Sequence, residues 1–255
     1  MFKKIVQPIY ACYAVTILFV CFMAVYPFMR LCMFGNPVSG RKKLANMLRT
    51  CFNAWLFLIG MPLRFIGKKP SGSYVYVANQ SSYLDTFSIA PATTGLFRVL
   101  GKAEMASIPF YGFVYKQMVI TVDRKNPKNR ALSMKRMWRQ LQKEGSMVIF
   151  PEGTFNETPM PLKDFYDGAF RLAIISQKPI HPILFLDSAE RWDPAAWWKF
   201  WPGKNRVVYL EPISVLGLKT GDTAKLKKQV YEIMENSLRK YKSGRYPNSI
   251  NNASI

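Results

Sequence analysis

The chain has a single histidine in 255 residues, His181. That excludes a metal site built from several imidazoles and leaves one residue able to act as an imidazole acid or base near neutral pH. Cysteine is also sparse: Cys12, Cys21, Cys32 and Cys51, and none beyond. Their spacing fits no zinc motif, and all lie in or near apolar segments, which argues against disulfide stapling and for a reducing or lipid-facing setting. Acidic residues are few, 15 Asp plus Glu against 36 Lys plus Arg, for a formal charge of +21. Such an imbalance calls for an anionic partner: nucleic acid, an acidic membrane surface or a phosphorylated substrate. Charged residues are nonetheless only 20% and hydrophobic ones 49%, which excludes a disordered chain. The sequence holds no internal repeat.

What is present begins with an uncharged run, Ile9 to Met29, behind Lys3 and Lys4. It is long enough to cross a bilayer as a helix. It exceeds the apolar core of a signal peptide, and no clear small-x-small cleavage site follows. A shorter apolar stretch, Cys51 to Leu63, contains Gly60 and Pro62; its length suits a re-entrant or interfacial helix. Basic residues flank both stretches on every side, so charge gives no simple orientation. Either a hairpin dipping into one leaflet or a single span followed by an interfacial helix fits.

From Tyr74 the pattern changes to short apolar runs alternating with mixed segments. Strands are expected at Tyr74–Ala78, Phe97–Leu100, Val119–Val122, Met147–Phe150, Ile180–Phe185 and Arg206–Leu210. Met134, Met137, Trp138 and Leu141 form one face of a helix over Asn129–Glu144, ended at Gly145. Asp167–Gln177 and Thr223–Tyr241 complete the helices. This alternation predicts an α/β fold: a mixed, partly parallel sheet flanked by helices, with an N-terminal membrane-embedded helical segment. The expected organisation is a membrane-associated helical region over 1–69, an α/β domain over 70–245 and a loose polar tail over 246–255.

Two polar clusters sit at the carboxyl ends of predicted strands, where α/β proteins place their chemistry. The first is Asn79-Gln80-Ser81-Ser82-Tyr83-Leu84-Asp85. The second is Pro151-Glu152-Gly153-Thr154 after Met147–Phe150. Taken alone, the first also reads as a simple turn after a strand, with Asn and Ser satisfying backbone groups. Between them lie Gly101-Lys102-Ala103-Glu104-Met105, Ile108-Pro109-Phe110-Tyr111-Gly112 and Val122-Asp123-Arg124. Pro161-Leu162-Lys163, Gly168-Ala169-Phe170 and Pro179-Ile180-His181-Pro182-Ile183 follow, and together these segments, over roughly residues 70–190, resemble the four blocks of the glycerolipid acyltransferase family, the last of which supports the acyl pocket. Its first block is Asn-His, four residues, Asp, and its third is Phe-Pro-Glu-Gly-Thr-Arg. Two positions depart from it: Gln80 stands where the family has histidine, and Phe155 where it has arginine.

The resemblance implies direct transfer of a fatty acyl chain from acyl carrier protein or coenzyme A to a lysophospholipid hydroxyl, as in bacterial members that acylate 1-acylglycerol-3-phosphate. No metal or redox cofactor is implied. In the family the histidine is the general base, and the aspartate orients it. Asp85 matches that aspartate, but the amide of Gln80 is not basic in water and only hydrogen-bonds. Lys102 and Arg124 are the implied phosphate contacts, and Arg124, Lys102 or Arg171 is left to take up the role of the missing arginine. Glu152, Gly153 and Thr154 are the implied contacts to the acceptor glycerol. Gln80 leaves three readings open: a disabling substitution in an active site, a binding or weakly active homologue, or a different base, for which His181 is the only other imidazole. A different acceptor, such as an amino-acid-linked lysolipid, fits Phe155. The expected location is a bacterial inner membrane, with the site on the cytoplasmic side and anionic lipids as partners. A nucleic-acid partner rests on charge alone and is not supported by any recognition module. Trp192, Trp197, Trp198 and Trp201, four tryptophans in one short segment, suit either a membrane interface or a core.

Overall fold

A computed structural model describes residues 2–122, 127–143 and 145–243. It begins with two antiparallel helices, α1 (Phe2–Leu31) and α2 (Pro37–Leu58). The turn between them is set by Asn36, whose side chain accepts from the amides of Val38 and Ser39, with Pro37 at the first helical position. Gly40 lets the hairpin close: a Cβ there would lie 2.6 Å from the Cys32 carbonyl. Residues Ile5–Leu31 are long and apolar enough to cross a membrane. One side of α1 buries Ala11, Ala14 and Met29, while Ile9, Phe19, Val20 and Phe28 are exposed on the other. Polar links fasten the pair; Trp55 Nε1 donates to the Ala14 carbonyl at 2.8 Å.

The stretch Cys51–Leu63 is therefore not a separate interfacial helix. Its first half is the end of α2, which begins at Pro37, and Cys51, Phe52, Trp55 and Leu56 are buried. Its last residue opens a strand that the apolar pattern did not reveal, β1 (Leu63–Ile66). Then follow β2 (Val75–Ala78), α3 (Tyr83–Ala92), β3 (Phe97–Lys102), α4 (Tyr111–Met118), β4 (Val119–Val122), α5 (Pro127–Lys143), β5 (Ser146–Ile149), α6 (Gly168–Ser176), β6 (Ile180–Phe185), α7 (Ser188–Arg191), β7 (Asn205–Tyr209) and α8 (Thr223–Tyr241). The sheet order is β1-β7-β6-β2-β5-β3-β4. All neighbours are parallel except β6 and β7, so β1 and β7 run against the other five strands. Because β1 belongs to this sheet, the boundary expected at residue 69 falls inside the sheet's own sequence.

Each face of the sheet carries its own core. Val75, Val77, Met147, Ile149 and Ile180 pack against α5, α6 and α8. Tyr76, Ala78, Val148 and Ile183 face the opposite way, toward α1 through α4. The central strands are buried on both faces, as parallel strands between helical layers must be, which is why they read as continuous apolar runs. The tryptophan segment divides: Trp192 packs on Phe87 and Phe200, while Trp197 and Trp198 are exposed.

Candidate active site

The site is built where β2 and β5, adjacent and parallel, both end. After β2, Asn79 turns its side chain onto β6. Its Nδ2 donates to the Phe185 carbonyl at 3.0 Å and its Oδ1 accepts from the Phe185 amide at 2.8 Å. Ser82 then caps α3: its Oγ accepts from the Leu84 amide and donates to the Trp192 carbonyl at 2.5 Å. Asp85 completes the capping box. Its Oδ2 accepts from the amides of Ser81 at 2.7 Å and Ser82 at 2.8 Å. The carboxyl is fully buried, and burial raises its pKa to about 6; the Ser188 hydroxyl and the two amides oppose that rise. The Ser188 hydroxyl does not complete a hydrogen bond: Asp85 Oδ1 and Ser188 Oγ are both buried without a partner among the described residues.

After β5, Glu152 is 3% exposed, and each of its oxygens holds a backbone amide. Oε1 accepts from Gln80 at 2.9 Å and Oε2 from Lys163 at 2.9 Å. Burial pushes its pKa up to about 7 against the pull of these two bonds. The Gln80 carbonyl accepts from the Asn156 amide at 2.8 Å, so the two motif loops are stitched together twice. Gly153 has φ +76°, in the left-handed region that glycine adopts without strain.

Beside these loops lies a cavity of about 410 Å³ between the sheet, α2, α3 and α4. Its wall is mainly apolar, with Phe22, Leu48, Phe52, Phe87, Val114 and Phe150 among its side chains. Gln80, Lys102, Gly153 and Thr154 supply polar surface. The structure thus gathers four of the seven residues singled out from the sequence onto one wall. Glu152 and Asp85 are behind it rather than on it: both are buried and neither lines the cavity. Arg124 lies outside the described residues. Arg171 is exposed on α6 and does not line the cavity.

Tyr111 and Tyr115 on α4 also line the cavity. Burial raises the Tyr111 pKa to about 12 and raises that of Tyr115 too, so both phenols hold their protons at neutral pH. Tyr115 donates to the Lys102 carbonyl at 2.6 Å. It packs so close to Gly101 that a Cβ there would sit 2.3 Å from its hydroxyl. No local pattern marks these contacts, nor that of Ser188 with Asp85; they arise where separate elements meet. His181 is 2% exposed on β6, against the rings of Tyr74, Tyr76 and Tyr209. Burial lowers its pKa to about 4, and neither ring nitrogen has a partner among the described residues. It does not line the cavity.

Comparison with known proteins agrees with this architecture. Residues 63–186 match the family model described as Acyltransferase. The chain is 27% identical over 154 residues to a 1-acyl-sn-glycerol-3-phosphate acyltransferase of Helicobacter pylori, covering 60% of this chain and 65% of that one. It is 31% identical over 173 residues to 1-acyl-sn-glycerol-3-phosphate acyltransferase alpha of Bos taurus, covering 65% and 58%. The match thus spans less than two thirds of each relative's length. In fold it is similar to the crystal structure of PlsC, the 1-acyl-sn-glycerophosphate (LPA) acyltransferase of Thermotoga maritima, with a TM-score of 0.76 at 19% identity, over 94% of this chain and 98% of that one. The matched stretch, just under half of the chain, begins with the first residue of β1 and ends just beyond β6, so it is similar to the Acyltransferase family from the sheet's edge strand through both motif loops.

Proposed function

We propose that this protein binds a lysophospholipid and an acyl thioester at a membrane surface, and that its site is laid out to transfer the acyl chain to the hydroxyl of a 1-acylglycerol-3-phosphate. In that reaction the hydroxyl oxygen attacks the thioester carbonyl, the C–S bond breaks, an ester forms, and the hydroxyl proton must leave. The observation that carries the reading is the apolar cavity whose polar wall is made by both motif loops, Gln80 from one and Gly153 and Thr154 from the other. Such a cavity takes a hydrocarbon chain along its length and holds the reacting end against a few fixed polar groups.

The chain's own residues divide the work. Asp85 and Glu152 are positioning residues that fix the two loops. Gln80 hydrogen-bonds a hydroxyl but does not accept its proton. Tyr111 and Tyr115 are protonated and do not accept it either. The unpartnered Oδ1 of Asp85 is the kind of acceptor that an imidazole N–H at position 80 would satisfy. With Gln80 in place, transfer is slow and binding dominates; that absence of a base favours the second reading, a lipid-binding homologue. The acyl donor is acyl carrier protein or coenzyme A, with no metal or redox cofactor. The apolar outer side of α1 and the surplus of basic residues set the protein at an anionic leaflet, on the cytoplasmic side of a bacterial inner membrane.

The test is acyl transfer to lysophosphatidate from acyl carrier protein and from acyl-coenzyme A, comparing the protein with Gln80→His. The expected gain is on the order of 10²-fold or more. Equal rates would refute the assignment of position 80. Lipid binding without transfer by either protein would establish the binding homologue.

A further inference from the structure

The loop after the second motif folds back on it and sets a cation against Thr154, a residue that lines the cavity, while Lys163 itself does not line it. Pro151 through Lys163 is closed on itself by Asn156, whose Nδ2 donates to the Met160 carbonyl and whose Oδ1 accepts from Thr158. The loop's far end, Lys163, is anchored by its amide to Glu152 Oε2, the carboxyl that also holds Gln80. From that anchor its side chain runs back along the motif, and Nζ donates to Thr154 Oγ1 at 2.7 Å. One buried carboxylate therefore sets the positions of both Gln80 and Lys163.

Lys163 forms no ion pair among the described residues. An ammonium has three donors, and Thr154 takes one. Thr154 accepts that bond, so its own hydroxyl proton remains free to be donated. The result is two donors 2.7 Å apart: the neutral one is on Thr154, which lines the cavity, and the charged one is on Lys163, which bonds Thr154 from outside the lining. Beside them Phe155 packs its ring on Tyr83, with centroids 4.6 Å apart, which closes the neighbouring position to polar groups. Lys102 is the sole charged residue lining the cavity among the described residues.

We infer that Lys163, with Thr154, binds the phosphate group of the lipid or thioester that enters the cavity. This rests on the proposed function and adds a specificity-determining residue to it. A lysine serves as a compact point charge for phosphate, and a phosphate oxygen in place of a neutral hydroxyl partner gives a stronger, charge-assisted bond. The lysophospholipid phosphate and the phosphates of coenzyme A are the two sources with this chemistry.

The experiment measures equilibrium binding to the full chain in detergent micelles. The probes are oleoyl-lysophosphatidate, its phosphate-free counterpart monooleoylglycerol, and coenzyme A. The proteins are the parent, Lys163→Met and Lys163→Arg. Lys163→Met is expected to weaken lysophosphatidate binding roughly 10-fold, the scale of one lost charged hydrogen bond, with monooleoylglycerol unchanged and Lys163→Arg restoring most of the loss. If coenzyme A weakens instead, the site stands and the phosphate belongs to the donor. If no phosphate ligand responds, or all three ligands weaken together, the inference is wrong and Lys163 only braces the loop. Because the readout is binding, the two claims fail separately. A Lys163 dependence without transfer by Gln80→His sinks the enzymatic reading alone, while transfer without a Lys163 dependence sinks this one alone.

Discussion

Gln80 lies just past the end of β2 and His181 on the neighbouring parallel strand β6, and their surroundings are opposite. His181 pairs in register with Tyr76, four residues before Gln80, so the two are offset by about 13 Å along the strand direction. Gln80 is half-buried on the wall of the cavity, and its backbone is held by Glu152 and Asn156. It has the position but not the chemistry of a base. His181 has the chemistry but is sealed among three tyrosine rings, its pKa driven down to about 4 by burial. A titratable group works only where substrate reaches it, and here position and protonation chemistry are on different residues.

That contrast can be broken or sharpened by mutation. The largest effect is expected for Asp85→Asn placed on Gln80→His. It should lower the gained transferase activity on the order of 10²-fold, because the imidazole loses the carboxylate that orients it. In the parent the same change should leave the residual rate nearly unaltered, since Asn still accepts the amides of Ser81 and Ser82. Equal losses in both backgrounds would show that Asp85 acts through the α3 cap alone.

Glu152→Gln should come next. An amide accepts one of the two amides that the carboxylate holds, so activity on the Gln80→His background should fall about 10-fold through lost alignment. The change also has a pH signature. Burial raises the Glu152 pKa to about 7, so the folded protein binds this proton more tightly than the unfolded chain does. The stabilisation is complete below the ordinary glutamate range and disappears as pH rises through about 7. Melting temperature measured from pH 4 to 8 should fall less steeply in Glu152→Gln. A slope unchanged from the parent would mean that Glu152 is not the buried proton site described above.

The smallest effect belongs to His181→Phe. Removing two ring nitrogens that lack partners should be neutral or stabilising by up to about 1 kcal/mol, and activity on the Gln80→His background should stay within about two-fold. Loss of activity with the melting temperature preserved would make His181 the base and reverse the contrast.

Much of this was legible locally. The strands β2, β4, β5 and β6 announced themselves as short apolar runs, and α5 and α8 by helical spacing, since burial demands those side chains whatever the partner. The polar clusters at Gln80 and Glu152 stood out because they interrupt buried strands at their carboxyl ends. β1 did not stand out. Its pattern is short and half-exposed, and only its parallel pairing with β7, about 140 positions on, makes it a strand. The start of α2 was hidden for a related reason: residues before Cys51 mix basic and apolar types, and their buried face shows only against α1 and α3.

The sequence by itself determined the sheet-and-helix alternation, the apolar N-terminal helix, the surplus of positive charge and the absence of an imidazole at position 80. These depend on residue type and spacing, which the chain carries locally. Only the tertiary structure decided that Glu152 clamps two loops rather than facing the cavity, that Lys163 returns to Thr154, that Ser188 backs Asp85, and that His181 is walled off. Each of those depends on which distant groups meet when the elements pack; Glu152, for one, is satisfied only by backbone amides from two separate loops.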